Sequence, residues 1–290
     1  MTLSVVIITC NEEANLPRTL ESVKWADEII VVDSGSTDRT VEIAKSYGAK
    51  VFIEPWKGFA AQKNSALEKA TGELILSLDA DEELSPELQE EIRKLLDGTL
   101  IFDTKKIGKR LEQEVNHPDA LAGLHAARSH SDNVKFSGFW IARKNFFLRR
   151  WIRFGGFYPD RKLRLFRTGL ARFENRAVHE DIKLSRRDSE HVHTTLELRF
   201  PIIHHAYPTL SSYIEHMNRY SSLGAQMAVE KGGRGFSFID IVLRPVFTFV
   251  YNYFLRLGFL DGREGLLLHL YHSAYVSWKY AKVWEFTRRK

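Results

Sequence analysis

Leu74-Ile75-Leu76-Ser77-Leu78-Asp79-Ala80-Asp81 is the stretch that decides the fold. Its apolar half has the length of a strand buried on both faces, and it runs straight into two carboxylates. In an extended chain alternate side chains share a face, so a strand that persisted to its tip would project Asp79 and Asp81 the same way. Like charges that close repel, and raise a carboxyl pKa unless positive charge sits between them. A hard divalent cation supplies that charge, takes oxygen ligands and commonly bridges to substrate phosphates. An Asp-x-Asp pair is equally an ordinary solvated turn, so its neighbours decide between the two.

Upstream, Leu3–Ile8 is a second doubly buried strand, followed by Thr9-Cys10-Asn11-Glu12-Glu13 and a helix through Leu16, Leu20 and Val23. Glu28–Val32 is a third. It ends in Asp33-Ser34-Gly35-Ser36-Thr37-Asp38, a polar cluster that caps a helix from Arg39 to Tyr47, stopped by Gly48. Lys50–Ile53 is a strand and Phe59–Ala70 a helix. Downstream of the aspartates Ser85 caps and Pro86 starts a helix with Leu88, Ile92, Leu95 and Leu96 on one face; Gly98 ends it. This alternation predicts an α/β fold, a mostly parallel sheet with helices on both faces. Ligands of such sheets bind beyond the carboxyl ends of the strands. Thr9–Glu12, Asp33–Asp38 and Asp79–Asp81 would therefore meet on one rim. Asp33 can accept from a ribose hydroxyl or a base N–H, or merely cap a helix, the reading favoured for Asp38. Lys63 and Asn64 on the third helix can meet a ribose or phosphate; Lys63 can equally be a solvated charge. Neither G-x-G-x-x-G nor G-x-x-x-x-G-K-[ST] is present, which disfavours a dinucleotide cofactor and a P-loop.

With 290 residues, 44% hydrophobic and 27% charged, the chain makes one large domain or one domain with an appendage. A net charge of +5 suits an anionic partner: nucleic acid, nucleotide or a membrane surface. The lone Cys10 rules out an internal disulfide and a cysteine zinc cluster, and fits a reducing compartment. No basic leader precedes Leu3–Ile8, which is too short for a signal peptide. No uncharged apolar run approaches the roughly 20 residues of a spanning helix.

Val5-Val6-Ile7-Ile8-Thr9-Cys10-Asn11-Glu12, Val31-Val32-Asp33-Ser34-Gly35-Ser36-Thr37-Asp38 and Asp79-Ala80-Asp81, in that order and spacing, resemble the family 2 glycosyltransferases. The resemblance covers roughly Thr2–Leu96. It implies a GT-A fold, a nucleotide-sugar donor, usually a UDP-sugar, and a divalent cation, Mn2+ or Mg2+. By that resemblance Thr9, Asn11, Glu12 and Asp33 lie around the base and ribose, with Lys63, Asn64 and Ala80 lining the donor. Asp79 faces the ribose and the metal's waters, and Asp81 binds the metal directly.

Beyond Leu96 the chain is polar and patternless to Asn133, an excursion at the sheet edge or a local helix around Arg110–Val115, serving as a tolerated insertion or an acceptor-side lid. Val134–Pro159 has no acidic residue; Arg143, Lys144, Arg149, Arg150 and Arg153 alternate with Phe146, Phe147, Trp151, Phe154 and Phe157. Such a segment can stack on bases, grip phosphates, lie among lipid headgroups, or form a solvated face over an aromatic core. Asp160–Arg167 alternates as a strand, with Arg172–Glu174 as its pairing partner. A sugar hydroxyl is a poor nucleophile near neutral pH, and a carboxylate that takes its proton contributes about 10²–10⁴ in rate. Glu180, with Asp181 as runner-up, is the candidate base. Gly156-Phe157-Tyr158-Pro159-Asp160, Leu165-Phe166-Arg167 and Val178-His179-Glu180 resemble the lipopolysaccharide-core glucosyltransferase branch of the family, the WaaE type, where the His-Glu pair falls at the catalytic acid. His179 orients Glu180, approaches the metal, or is purely structural. Leu196–Ile203 reads as a strand, with His204 and His205 structural after it.

The expected organisation is a GT-A catalytic domain over residues 1–205 and a helical C-terminal extension over 206–290. The first comprises a nucleotide-sugar half (1–96), a polar insertion (about 97–133) and an acceptor half (134–205). Leu210–Val229 and Gly265–Phe286 have helical spacing, and Phe238–Leu260 between them is rich in large apolar groups. Such a tail suits partial burial in a membrane interface with basic flanks against anionic lipid, or a helical pair packed on the domain or a second copy. The expectation is an inverting, metal-dependent transfer of a sugar, glucose by resemblance, from a UDP-sugar to a lipid-linked saccharide such as lipopolysaccharide core. It would take place in the cytoplasm at the inner face of the membrane, with no nucleic acid as partner. Transfer to a peptide side chain, a nucleic-acid-binding module and a nucleotidyltransferase are the alternatives.

Overall fold

The computed structural model describes residues 1–100, 136–174, 182–184, 194–233 and 235–288. Residues 101–133 of the polar insertion, Arg110–Val115 among them, and His179, Glu180 and Asp181 lie outside them. The chain divides into two compact units, one of Met1–Ala142, Arg161–Asn175 and Asp181–Ile202, the other chiefly of Arg143–Asp160 and Ile203–Lys290. Of the basic aromatic segment, the part from Arg143 onward groups with the C-terminal helices.

In the first unit the order is β1 (Leu3–Thr9), α1 (Leu16–Val23), β2 (Glu28–Asp33), α2 (Thr40–Ser46), β3 (Lys50–Ile53), α3 (Phe59–Lys69), β4 (Leu74–Asp79), β5 (Glu82–Leu84) and α4 (Pro86–Leu96). β6 (Phe136–Phe147), β7 (Arg150–Trp151), β8 (Asp160–Arg167), β9 (Ala171–Phe173), β10 (Ile182–Leu184), β11 (Thr194–Glu197) and β12 (Ile202–Tyr207) follow along the chain. β3, β2, β1 and β4 lie side by side in that order and all parallel, and β8 then β6 extend the sheet, β8 antiparallel to β4. β2 lies on one side of β1 and β4 on the other, so the winding reverses at β1. That reversal opens a crevice at the carboxyl ends, the usual ligand site of an open α/β sheet. Pleating sorts the apolar residues by parity. Val5, Ile7, Leu74, Leu76 and Leu78 pack with Leu16, Leu20, Leu88 and Ile92 on one face, while Val6, Ile30, Val32 and Ile75 pack with Ala66 of α3 on the other.

Ser85 caps α4 by accepting from the Leu88 N–H at 3.2 Å, as its sequence predicts. Two expected pairings differ. Arg172–Glu174 does not pair with β8; β9 pairs with β10. The strand expected over Leu196–Ile203 is broken around Pro201, which has no N–H for a ladder, and His204 and His205 sit within β12.

Two carboxylates anchor the first unit, Glu28 at the amino end of β2 and Glu54 just past the carboxyl end of β3. Glu28 is buried, which alone would raise its pKa, but bonds from Lys50, Ser4 and Thr71 hold it down at about 2. Lys69, Ser65 and Lys57 hold Glu54 at about 2. A folded-state pKa below the unfolded one gives stability that is present above the unfolded value and lost as pH falls through the folded one. The melting temperature should therefore drop steeply from about pH 5 toward pH 2, and Glu28→Gln with Glu54→Gln should flatten that slope in a pH series of thermal melts.

In the second unit α5 (Leu210–Glu230) and α7 (Gly262–Arg288) pack together; between them π-turns at Ile239–Leu243 and Tyr251–Leu255 flank α6 (Arg244–Val250). Pro245 cannot donate to the carbonyl of Ile241 four residues back, and Ser277 Oγ of α7 donates to it instead, at 2.8 Å. Ser273 Oγ bonds the Pro245 carbonyl at 2.7 Å. One face of the 239–255 segment is thereby fixed to α7. The opposite face carries Ile239, Val242, Leu243, Val246, Phe247 and Val250, continuing through Phe254 and Leu255, all exposed. Of the exposed large apolar residues, those from Phe236 to Leu270 greatly outnumber the rest. Gly155 and Gly258 admit the buried His269 ring, where an added Cβ would lie 2.0–2.2 Å from its atoms. Among the described residues no helix is long and apolar enough to cross a membrane.

Candidate active site

β4 ends at Asp79, and the chain turns through Ala80 and Asp81 into β5. The extended geometry that would have put both aspartates on one face therefore stops one residue too early. The turn is closed by the Asp79 N–H, which donates to Glu82 Oε2 at 3.0 Å. Thr19 Oγ1 of α1 donates to the Ala80 carbonyl at 2.6 Å, and Ser22 Oγ accepts the Leu84 N–H at 3.1 Å. Helix α1 thus holds the turn from below.

The β1 and β2 tips are laced to each other. Register places Thr9 beside Asp33, and Ile8 beside Asp79, so the three tips share one row. Asp33 is 0% exposed. Its carboxylate accepts from Thr9 Oγ1 at 2.8 Å, the Gly35 and Ser36 N–H groups at 2.9 and 2.8 Å, and Ser36 Oγ at 2.5 Å. In this arrangement Asp33 shapes the loop, and its oxygens are turned to that loop. Asn11 adopts a left-handed φ of 56°, which asparagine tolerates. Its N–H donates to Ser36 Oγ and its Oδ1 accepts from the Thr37 N–H, both at 2.8 Å. The Glu12 N–H donates to Thr40 Oγ1 at 2.7 Å. Asp38 accepts from the Thr40 N–H at 3.0 Å, the local cap its sequence suggests.

Negative charge concentrates where the loops meet. Burial pushes the Glu12 carboxyl up, a bond from Asn15 opposes this, and the charges of Asp81, Asp38 and Asp79 push it further up. A hard cation suits this field, and Asp81 carries oxygens of the kind one takes. Among the described residues no group of three or more His, Cys, Asp or Glu forms a ready-made metal cage.

Positive charge comes from beneath. Lys63 Nζ of α3 lies 2.8 Å from Asp79 Oδ1 and 5.3 Å from the Phe173 ring centroid. Arg164 of β8 lies 2.6 Å from Asp79 Oδ2 and 2.6 Å from Glu82 Oε1. Burial opposes its charge, yet Asp79 and then Glu82 more than offset this and hold its pKa above the ordinary arginine value. Sequence reading missed Arg164 and Glu82. Asn64 is used otherwise than expected: its amide donates to the Phe173 carbonyl and accepts from the Phe173 N–H, both at 2.9 Å, tying α3 to β9.

Residues 4–172 match the family model described as glycosyl transferase family 2. The chain belongs to the family 2 glycosyltransferases. Over 269 residues it is 30% identical to an uncharacterized glycosyltransferase of Rickettsia typhi, spanning 91% of this chain and 80% of that one. The lipopolysaccharide core biosynthesis glycosyltransferase LpsC of Rhizobium meliloti is 28% identical over 295 residues, 98% of this chain and 92% of that one. Among solved structures, glucosyl-3-phosphoglycerate synthase of Mycobacterium tuberculosis, in complex with Mn2+, UDP and glucosyl-3-phosphoglycerate, is 28% identical. That likeness covers 36% of this chain and 41% of that one at a TM-score of 0.29, too slight to carry a ligand across. As a family 2 glycosyltransferase the protein is an enzyme, and its sequence motifs fall on the row of strand tips.

Proposed function

We propose that the rim holds a UDP-sugar with a divalent cation, and that the sugar passes with inversion to a lipid-linked saccharide of the lipopolysaccharide-core class. The observation that carries this reading is the convergence of the β1, β2 and β4 tips, acidic above and cationic below, at the reversal of the sheet. Mn2+ or Mg2+ bound at Asp81 would offset charge growing on the departing diphosphate. Lys63 stands at the same tip with an ammonium of the right sign. The acceptor oxygen bonds the anomeric carbon as the bond to the β-phosphate oxygen breaks; the hydroxyl proton goes to Glu180 and UDP leaves. Glu180, with Asp181 and His179 beside it, is assigned from sequence. The acceptor class and a glucose donor follow from the branch resemblance, and the likeness to LpsC supports the acceptor class.

Peripheral attachment to the inner face of the cytoplasmic membrane belongs to this reading. Its support is the outward apolar stripe of the 239–255 segment, whose charges are Arg244 and Asp240, bonded to each other at 2.7 Å. The basic aromatic segment is less suited to nucleic acid. Arg143 is bonded to Asp160 at 2.6 Å, and Lys144 and Arg153 lie over the Trp151 ring at 4.7 and 4.8 Å.

Release of UDP from a panel of UDP-sugars, with and without Mn2+ and a core-type acceptor, tests the reading. Metal-stimulated release from one donor is expected, and release of pyrophosphate instead would favour the nucleotidyltransferase alternative. Glu180→Gln should lose about 10²–10⁴ in turnover while UDP affinity stays within threefold, as befits a base absent from donor binding. An unchanged rate would move the base to Asp181.

A further inference from the structure

We infer that Arg164 is a positioning residue: with Glu82 it binds Asp79 out of the cation's ligand set, leaving Asp81 to hold the metal. This rests on the rim being a cation–diphosphate site. The geometry is a closed bracket. Glu82 gives Oε1 to Arg164 at 2.6 Å and Oε2 to the Asp79 N–H at 3.0 Å, so one buried carboxylate fixes both the guanidinium and the turn. Arg164 then meets Asp79 Oδ2 at 2.6 Å, and Lys63 meets Oδ1 at 2.8 Å. Both Asp79 oxygens are bonded to cations.

A divalent ion bound through Asp79 would have to displace one of these cations or sit against both. Displacing Arg164 is unfavourable, because the Glu82 side chain is 0% exposed and cannot be left without its counter-charge, and Lys63 stands on the other oxygen. Asp81 lies beyond the bracket on the same turn. Its charge is felt by Glu12, which follows the β1 tip. An arginine suits this place better than a lysine, since its planar fork stays charged when buried and reaches two acceptors at once. A position inside the hydrophobic sheet thereby controls which of two adjacent aspartates the metal uses.

Binding of Mn2+ to the full-length protein, followed by the electron paramagnetic resonance of free Mn2+ with and without UDP, reads this directly without turnover. Asp81→Asn should weaken Mn2+ binding at least tenfold, while Asp79→Asn should change it less than threefold. The paired variant Arg164→Gln with Glu82→Gln removes both buried charges together and releases Asp79 Oδ2. Mn2+ binding to the UDP-free variant should tighten threefold or more, which a merely structural role for Arg164 would not produce. Unchanged or weaker binding in a paired variant that retains its circular dichroism and melt would overturn the inference. So would Asp79→Asn losing Mn2+ as completely as Asp81→Asn, a comparison that decides the matter should the paired variant not fold. Wild-type protein that binds neither Mn2+ nor UDP would instead sink the donor-site reading and this inference with it.

Discussion

Asp81→Asn is expected to lower kcat/KM about a thousandfold while the melting temperature stays within about two degrees. Loss of metal-based charge stabilisation is worth several kcal/mol, and about 1.4 kcal/mol corresponds to tenfold in rate. Asp81 sits in a surface turn between β4 and β5 that is closed by other groups, the Asp79 N–H on Glu82 and Thr19 on the Ala80 carbonyl. Exchange of one oxygen for an amide there leaves those bonds intact. The fold should therefore survive a change that removes activity. A variant retaining a tenth or more of wild-type turnover would make Asp81 an ordinary solvated acid, and Mn2+ titration of its rate would show the same metal dependence as the parent.

Phe247→Glu with Leu255→Glu should release the protein from vesicles containing anionic phospholipid, with a partition coefficient lower by about 10²–10³. These side chains are 66% and 69% exposed, so neither supports the interior of the unit. Full burial of a large apolar side chain is worth about 1.5–3 kcal/mol, and a charge near an anionic surface adds about 1 kcal/mol for each residue. Burial in an interface is partial, so two such changes remove about 3–4 kcal/mol of membrane binding with little effect on folding. Co-sedimentation with vesicles measures it. Unchanged sedimentation would assign the stripe to another surface, and a change in oligomeric mass in the variant would point to a second copy of the chain.

β1, β2 and β4 were legible because doubly buried strands are written as unbroken β-branched and leucine runs, and their polar tips mark the carboxyl ends. Ser85-Pro86 announced α4 for the same local reason: a cap needs only its own few residues. The charge bracket was not legible. Arg164 meets Asp79 from 85 positions away, and in an alternating Asp-Arg-Lys-Leu-Arg-Leu-Phe-Arg strand any one arginine looks like its neighbours. Asp33 and Asn64 illustrate the converse. Residue type and place suggested ligands, but four donors surround Asp33 and the Phe173 backbone occupies Asn64. The apolar richness of Phe238–Leu260 was visible in sequence; which side it turned to solvent depended on where Ser273 and Ser277 of α7 found carbonyls to bond.

Hydrogen–deuterium exchange with and without UDP and Mn2+ tests the central claim most directly, because it reports where the nucleotide sits rather than whether turnover occurs. Protection is predicted in three separated segments together: Thr9–Asn15, Ser34–Thr40 and Asp79–Glu82, each at the carboxyl end of a neighbouring strand. Protection confined to the C-terminal helices, or to one of these loops with the β4 tip unchanged, would contradict it.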